Sequence, residues 1–166
     1  MKKGGQVKMS FGMIFSIILI IIFIASAIYG IIKFLEFKDT MVVGKFVERL
    51  EEDTEKIWKS TQGSQEFSYS IPSDIELVCF VDYDHESEGQ YSDLYYTLKQ
   101  AFFEKENMFF YPIGSGNGLD STEIAHLDMN ATTFEENPFC IRNDGEIKMI
   151  LKKNYRDSLV RIEKVE

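Results

Sequence analysis

FGMIFSIILIIIFIASAIYGII, residues 11–32, is one uninterrupted apolar run without a single charge. At about 1.5 Å of rise per helical residue it measures roughly 33 Å, enough to cross the roughly 30 Å hydrocarbon layer of a bilayer. Its density of Ile, Leu and Phe exceeds that of a buried soluble helix, so the run reads as a transmembrane helix. A cleaved secretory signal fits less well. Its apolar core normally stops at about 7 to 15 residues, and the small triplet Ala25-Ser26-Ala27 lies inside the run, with Ile28, Ile31 and Ile32 still to come.

The pattern stays helical beyond residue 32. Phe34, Phe37, Met41, Phe46, Leu50, Ile57 and Trp58 recur every three to five residues, with acidic and basic residues between them. That spacing predicts an amphipathic helix over 33–60 that continues the first, weakened only at Gly44. The polar stretch 61–65 is the expected linker, and 66–166 the expected head.

The head reads as mostly β. Phe67 and Tyr69 alternate with polar residues over 66–71, and residues 75–83 form an apolar and aromatic strand after Pro72. Leu94, Tyr95, Leu98 and Phe102 have helical spacing and predict one short helix within 94–106. Residues 108–113 and, more weakly, 124–129 are further strands. Phe139–Arg142 is expected to pair with 146–151 across the Asp144-Gly145 turn, since Asp-Gly is a strong hairpin signal. Leu159–Val165 alternates and suits a terminal strand with one buried face. The class is α+β: a long N-terminal helix, then a small antiparallel β-rich head.

Charge limits what the head can bind. Lys2, Lys3 and Lys8 are the only charges before Ile32, and the remainder carries 15 basic and 27 acidic residues. Such a surface repels nucleic acid and anionic lipid headgroups. The lysines before the apolar run place the N-terminus inside and the head outside the cell membrane. Two features of the head agree with that orientation. Cys79 and Cys140 form an even pair that can be either a disulfide or two buried thiols. Asn130-Ala131-Thr132 is an N-glycosylation acceptor expected in a loop.

No segment carries a catalytic signature, and the chain is expected to be non-enzymatic and to need no cofactor. Asp82, Asp84, Glu86 and Glu88 alternate around His85, a spacing that can wrap a calcium ion; Ser87 and Asp93, however, stand where an EF-hand needs glycine and glutamate. The stretch is therefore expected to be a solvated acidic loop. Zinc has no paired spacing, because His85 and His126 are far apart. Gly114-Ser115-Gly116-Asn117-Gly118 lacks the third glycine of a dinucleotide turn and the lysine of a P-loop, so it reads as a plain loop.

Lys2-Lys3-Gly4-Gly5-Gln6, directly before the apolar helix, resembles the class III signal peptide of archaeal type IV pilin-like proteins. The architecture, an apolar-then-amphipathic helix feeding a β-rich head, resembles that family over about the first 60 residues. The resemblance implies cleavage after Gly5, a mature terminus at Gln6, and self-assembly through the N-terminal helix. The family's glutamate at the fifth mature position is replaced here by Ser10, and Lys8 adds a charge to the packing segment. Both changes shift the expectation from a major filament subunit to a minor pilin-like component. KMSFGMIFSIILIIIF also looks like small single-pass membrane proteins of archaea, which implies the alternative of an uncleaved anchor whose outer domain binds a protein partner or ligand.

Overall fold

The computed structural model describes residues 11–102 and 105–165. The chain divides into two compact units at Lys38/Asp39, inside the helix α1, Phe11–Lys59. In the first unit every residue from Phe11 to Lys38 is helical and exposed.

The second unit begins with the last turns of α1. Val43, Phe46, Leu50, Thr54 and Ile57 are buried and recur at spacings of three and four, which puts them in one stripe. This stripe is the helical wall of the main core. Among the described residues seven strands and two helices follow: β1 (Gly63–Tyr69), β2 (Leu77–Phe80), α2 (Ser92–Ala101), β3 (Met108–Tyr111), β4 (Ser121–Thr122), α3 (Met129–Thr132), β5 (Phe139–Arg142), β6 (Ile147–Lys153) and β7 (Arg161–Lys164). They form two antiparallel sheets, ordered β1-β6-β7 and β4-β3-β2-β5.

The sheets differ because their strands do. In β6 the buried Ile147, Met149 and Leu151 alternate with Lys148 and Ile150, so one face meets the core and the other meets water. In β2 all four residues are buried. Val78 and Phe80 face the main core, while Leu77 and Cys79 join a second cluster with Phe109, Cys140 and the α2 residues Tyr95 and Leu98. Helix α2 is amphipathic because it covers that second face.

Four expectations change. The hairpin predicted between Phe139–Arg142 and 146–151 does not form: β5 pairs with β2, and β6 pairs with β1 and β7. β5 buries Phe139, Cys140 and Ile141 on both faces, whereas β6 buries one face only, so the two strands belong in different layers. The Asn143–Gly145 turn still forms, with the Gly145 N–H donating to Asn143 Oδ1 at 3.1 Å and φ +98° at Gly145. It carries the chain between sheets, because the Asn143 amide donates to Pro72 O at 3.0 Å and Ile75 O at 2.8 Å. The linker is shorter than 61–65, since β1 starts at Gly63. The strand expected at 124–129 is reduced to a single parallel bridge, Leu127 to Val160, and the pairing falls on β4 instead. A second short helix, α3, was not expected. Asp128 caps it by accepting the Ala131 N–H at 2.9 Å, which turns the chain before it can extend.

Candidate functional site

The apolar half of α1 is the first candidate. Phe11–Lys59 is the one helix among the described residues that is long and apolar enough to span a membrane. Its two serines are provided for without water: the Ser16 hydroxyl donates to Gly12 O at 2.9 Å and the Ser26 hydroxyl to Ile22 O at 2.8 Å. The first charges after it, Lys33 and Glu36, pair at 2.7 Å. A helix that satisfies its own backbone and exposes only apolar groups suits lipid or other apolar helices, not water. Gly4, Gly5, Gln6, Lys8 and Ser10 lie outside the described residues.

Cys79 and Cys140 are joined by a disulfide. They are direct partners in the β2–β5 ladder, with Cα atoms 4.1 Å apart, and both are buried under α2. Two-thiol burial, the other reading open to the sequence, is replaced by a bridge across a sequence separation of 61 residues.

The acidic loop after β2 is ordered by a residue the sequence did not point to. Asn137, 2% exposed, accepts the Asp82 N–H at 3.1 Å through Oδ1. Its amide donates to Asp82 O at 2.7 Å, Glu86 O at 3.2 Å and His85 O at 3.3 Å. Its backbone also pairs with Glu88. An asparagine about 50 positions away in sequence gives no periodic or motif signal, so only the fold could bring it to this loop.

Asp82 is committed inward. One carboxylate oxygen accepts the Asp84 N–H at 2.9 Å and the other meets His85 Nδ1 at 2.9 Å. Asp84, Glu86 and Glu88 do not converge with it. Among the described residues no three His, Cys, Asp or Glu side chains are placed to hold a metal ion. The Asp84 N–H bond to Asp82 makes an aspartate turn at the start of the loop. On its other side the His85 ring lies 3.2 Å from the Asn130 amide. Both ring nitrogens are therefore engaged, Nδ1 with Asp82 and Nε2 with Asn130.

Asn130 itself is exposed, on α3 rather than in a loop. The Thr132 of its sequon is buried, and its hydroxyl accepts the Ile162 N–H at 3.1 Å. The glycine loop is held by one aspartate: Asp120 Oδ1 accepts the N–H groups of Gly114 at 2.8 Å and Gly116 at 2.9 Å. Those are the amides that a phosphate cradle would need free. His126 is stacked on Trp58 at 3.7 Å between ring centroids, far in function from a zinc ligand pair with His85. Next to it, a hydrogen bond from Lys59 holds the Glu55 carboxyl below its ordinary range.

No family model, no curated protein and no solved structure matches the chain.

Proposed function

We propose that the chain is a single-pass, membrane-anchored, pilin-like surface component, structural rather than enzymatic, with its N-terminus inside and its head outside the cell. One observation carries the reading: α1 is continuous from Phe11 to Lys59, apolar and exposed in its first half, and part of the head's own core in its second. A helix of that kind runs from an apolar environment into a folded domain. In a bilayer its first half anchors the head. If subunits leave the bilayer together, the same apolar halves can bury one another, because that is the other way to keep them from water. The disulfide supports the outside placement of the head, since such bridges persist in oxidising compartments.

Gly4, Gly5 and Gln6 are the processing residues in this reading. Intact-mass measurement of the protein extracted from its native membrane tests it, with the mature chain expected to begin at Gln6. Retention of residues 1–5 would sink the pilin-like reading. It would leave the second one, an uncleaved anchor whose acidic head binds a protein partner or ligand, which the ordered loop around Asn137 favours by offering a preformed surface.

A further inference from the structure

Gly44, Val47, Glu48 and Glu51 recur at spacings of three and four, so they share one face of α1 beside its buried stripe. With Leu119 and the edge of β4 they line a groove of about 240 Å³. Its floor is apolar, and Gly44 leaves it open: a methyl group added there would lie 3.8 Å from Leu119 Cδ1. Its walls are acidic. Glu48 and Glu51 are exposed, and neither is in an ion pair among the described residues. Among those residues no base lines the groove, and Lys45 and Arg49 of α1 stay outside it. Small-molecule sites run to roughly 300–1,000 Å³, so this groove suits one aromatic side chain better than a ligand of that kind.

The turn between β6 and β7 carries such a side chain. Asp157 closes the turn: its carboxylate accepts the Asn154 N–H at 2.9 Å and the Asn154 amide at 2.8 Å, and its own N–H donates to Asn154 O at 3.0 Å. Tyr155 is left 71% exposed, and Arg156 is exposed with no ion pair among the described residues. The neighbouring cations are engaged, Lys152 with Glu163 at 3.2 Å and Lys153 with Ser60 O at 3.0 Å. The turn is therefore an aromatic knob with one free guanidinium. It lies beside the last turn of α1, where Trp58 Nε1 donates to Ser158 O at 3.0 Å. The groove is about ten residues back, or roughly 15 Å along the helix.

We infer that the groove at Gly44–Glu51 is the docking site for the Tyr155–Arg156 turn of a second copy of this chain, with the ring on the apolar floor and the guanidinium between Glu48 and Glu51. The inference rests on the pilin-like reading above and supplies a contact between heads. Charge selects the occupant. A chain of net charge −9 repels its own copies, so heads meet best where a free cation of one faces free carboxylates of the next. The two patches do not overlap, which makes the contact heterologous. With the α1 helices parallel, each copy is shifted along α1 by roughly 15 Å from the last, and the series does not close. Copies that lie level with one another cannot make it, so the contact belongs to an assembled form.

The test uses the full chain in its own cells, with its native disulfide, and compares membranes with material sheared from the surface. A chain carrying both Arg156→Cys and Glu48→Cys is expected to give a ladder of dimer, trimer and higher species when the sheared material is oxidised, and either substitution alone to give monomer. A dimer without higher species shows reciprocal pairing, and no adduct shows no contact; either overturns the inference. Charge reversal adds no thiol and covers the case in which new cysteines disturb the native bridge. Arg156→Glu is expected to lower the sheared protein at least about fivefold, and Glu48→Lys with Glu51→Lys in the same chain to restore it. All these side chains are exposed, so the melting temperature is expected to stay unchanged. No loss, or a loss without rescue, also overturns the contact. Intact mass separates the two readings. A chain that begins at Gln6 and shears off without a ladder defeats this contact alone, whereas one that keeps residues 1–5 and never shears off defeats the pilin-like reading and the contact with it.

Discussion

Reducing the Cys79–Cys140 bridge should weaken the head by a large share of its total stability. The two cysteines are separated by 61 residues, and closing a loop of that length contributes about 4 kcal/mol in the chain-entropy model. Domains of this kind are stable by only about 5–15 kcal/mol, so the loss is severe but survivable. Cys79 and Cys140 are 0% and 2% exposed, packed with Leu98 and Phe109. Replacing both with alanine would therefore add a cavity cost on the order of 1 kcal/mol, whereas reduction keeps both sulfurs and isolates the loop effect. For a unit of this size about 4 °C accompanies each kcal/mol, and the reduced wild type is expected to melt roughly 15 °C below the oxidised form. Far-UV circular dichroism of the detergent-solubilised chain, with and without a phosphine reductant, reads the difference. A shift under about 3 °C would refute the loop argument. Alkylation of both thiols in native, unreduced protein would refute the bridge itself.

Phe46, 2% exposed and edge-on to Tyr69 at 5.3 Å, joins α1 to the sheets; Phe46→Ala should cost about 3–5 kcal/mol by urea unfolding, and a loss below about 1 kcal/mol would show that the site collapses around the gap. The Tyr69 hydroxyl donates to Asp53 at 2.9 Å, and burial, followed by that hydrogen bond, raises its pKa well above the ordinary 10.0. A raised folded pKa gives stability that is complete below about pH 10 and lost as pH climbs from there toward the folded value. Wild type should thus lose melting temperature above about pH 10 more steeply than Tyr69→Phe, which is about 1 kcal/mol weaker at neutral pH; parallel curves would contradict this. Ile21, at the middle of the apolar run and exposed, is the place to test anchoring: lysine there costs about 2.5–3.5 kcal/mol on insertion scales, so Ile21→Lys should move protein into the alkaline-carbonate supernatant, and unchanged retention in the pellet would count against a spanning helix.

The sequence by itself determined the long helix and the composition of the core. Apolar density over 11–32 and the Phe46–Leu50–Ile57 spacing are local properties, set by bilayer thickness and by 3.6 residues per turn, and were legible without a fold; that Val43 and Thr54 join the buried stripe while Phe34, Phe37 and Met41 stay exposed was not. Most of the β segments were legible too, since alternation is written residue by residue, but the strand expected at 124–129 was not formed and β4 was not foreseen. Partner choice was not. Asp144-Gly145 makes the same turn whether the chain folds back into its own sheet or crosses to another, and only the burial of Phe139, Cys140 and Ile141 beneath α2 and α1 sends β5 to β2. That choice puts Cys140 opposite Cys79 and draws Asn137 under the acidic loop. Each depends on contacts between residues more than 50 positions apart, where local pattern carries no information and packing of the whole decides.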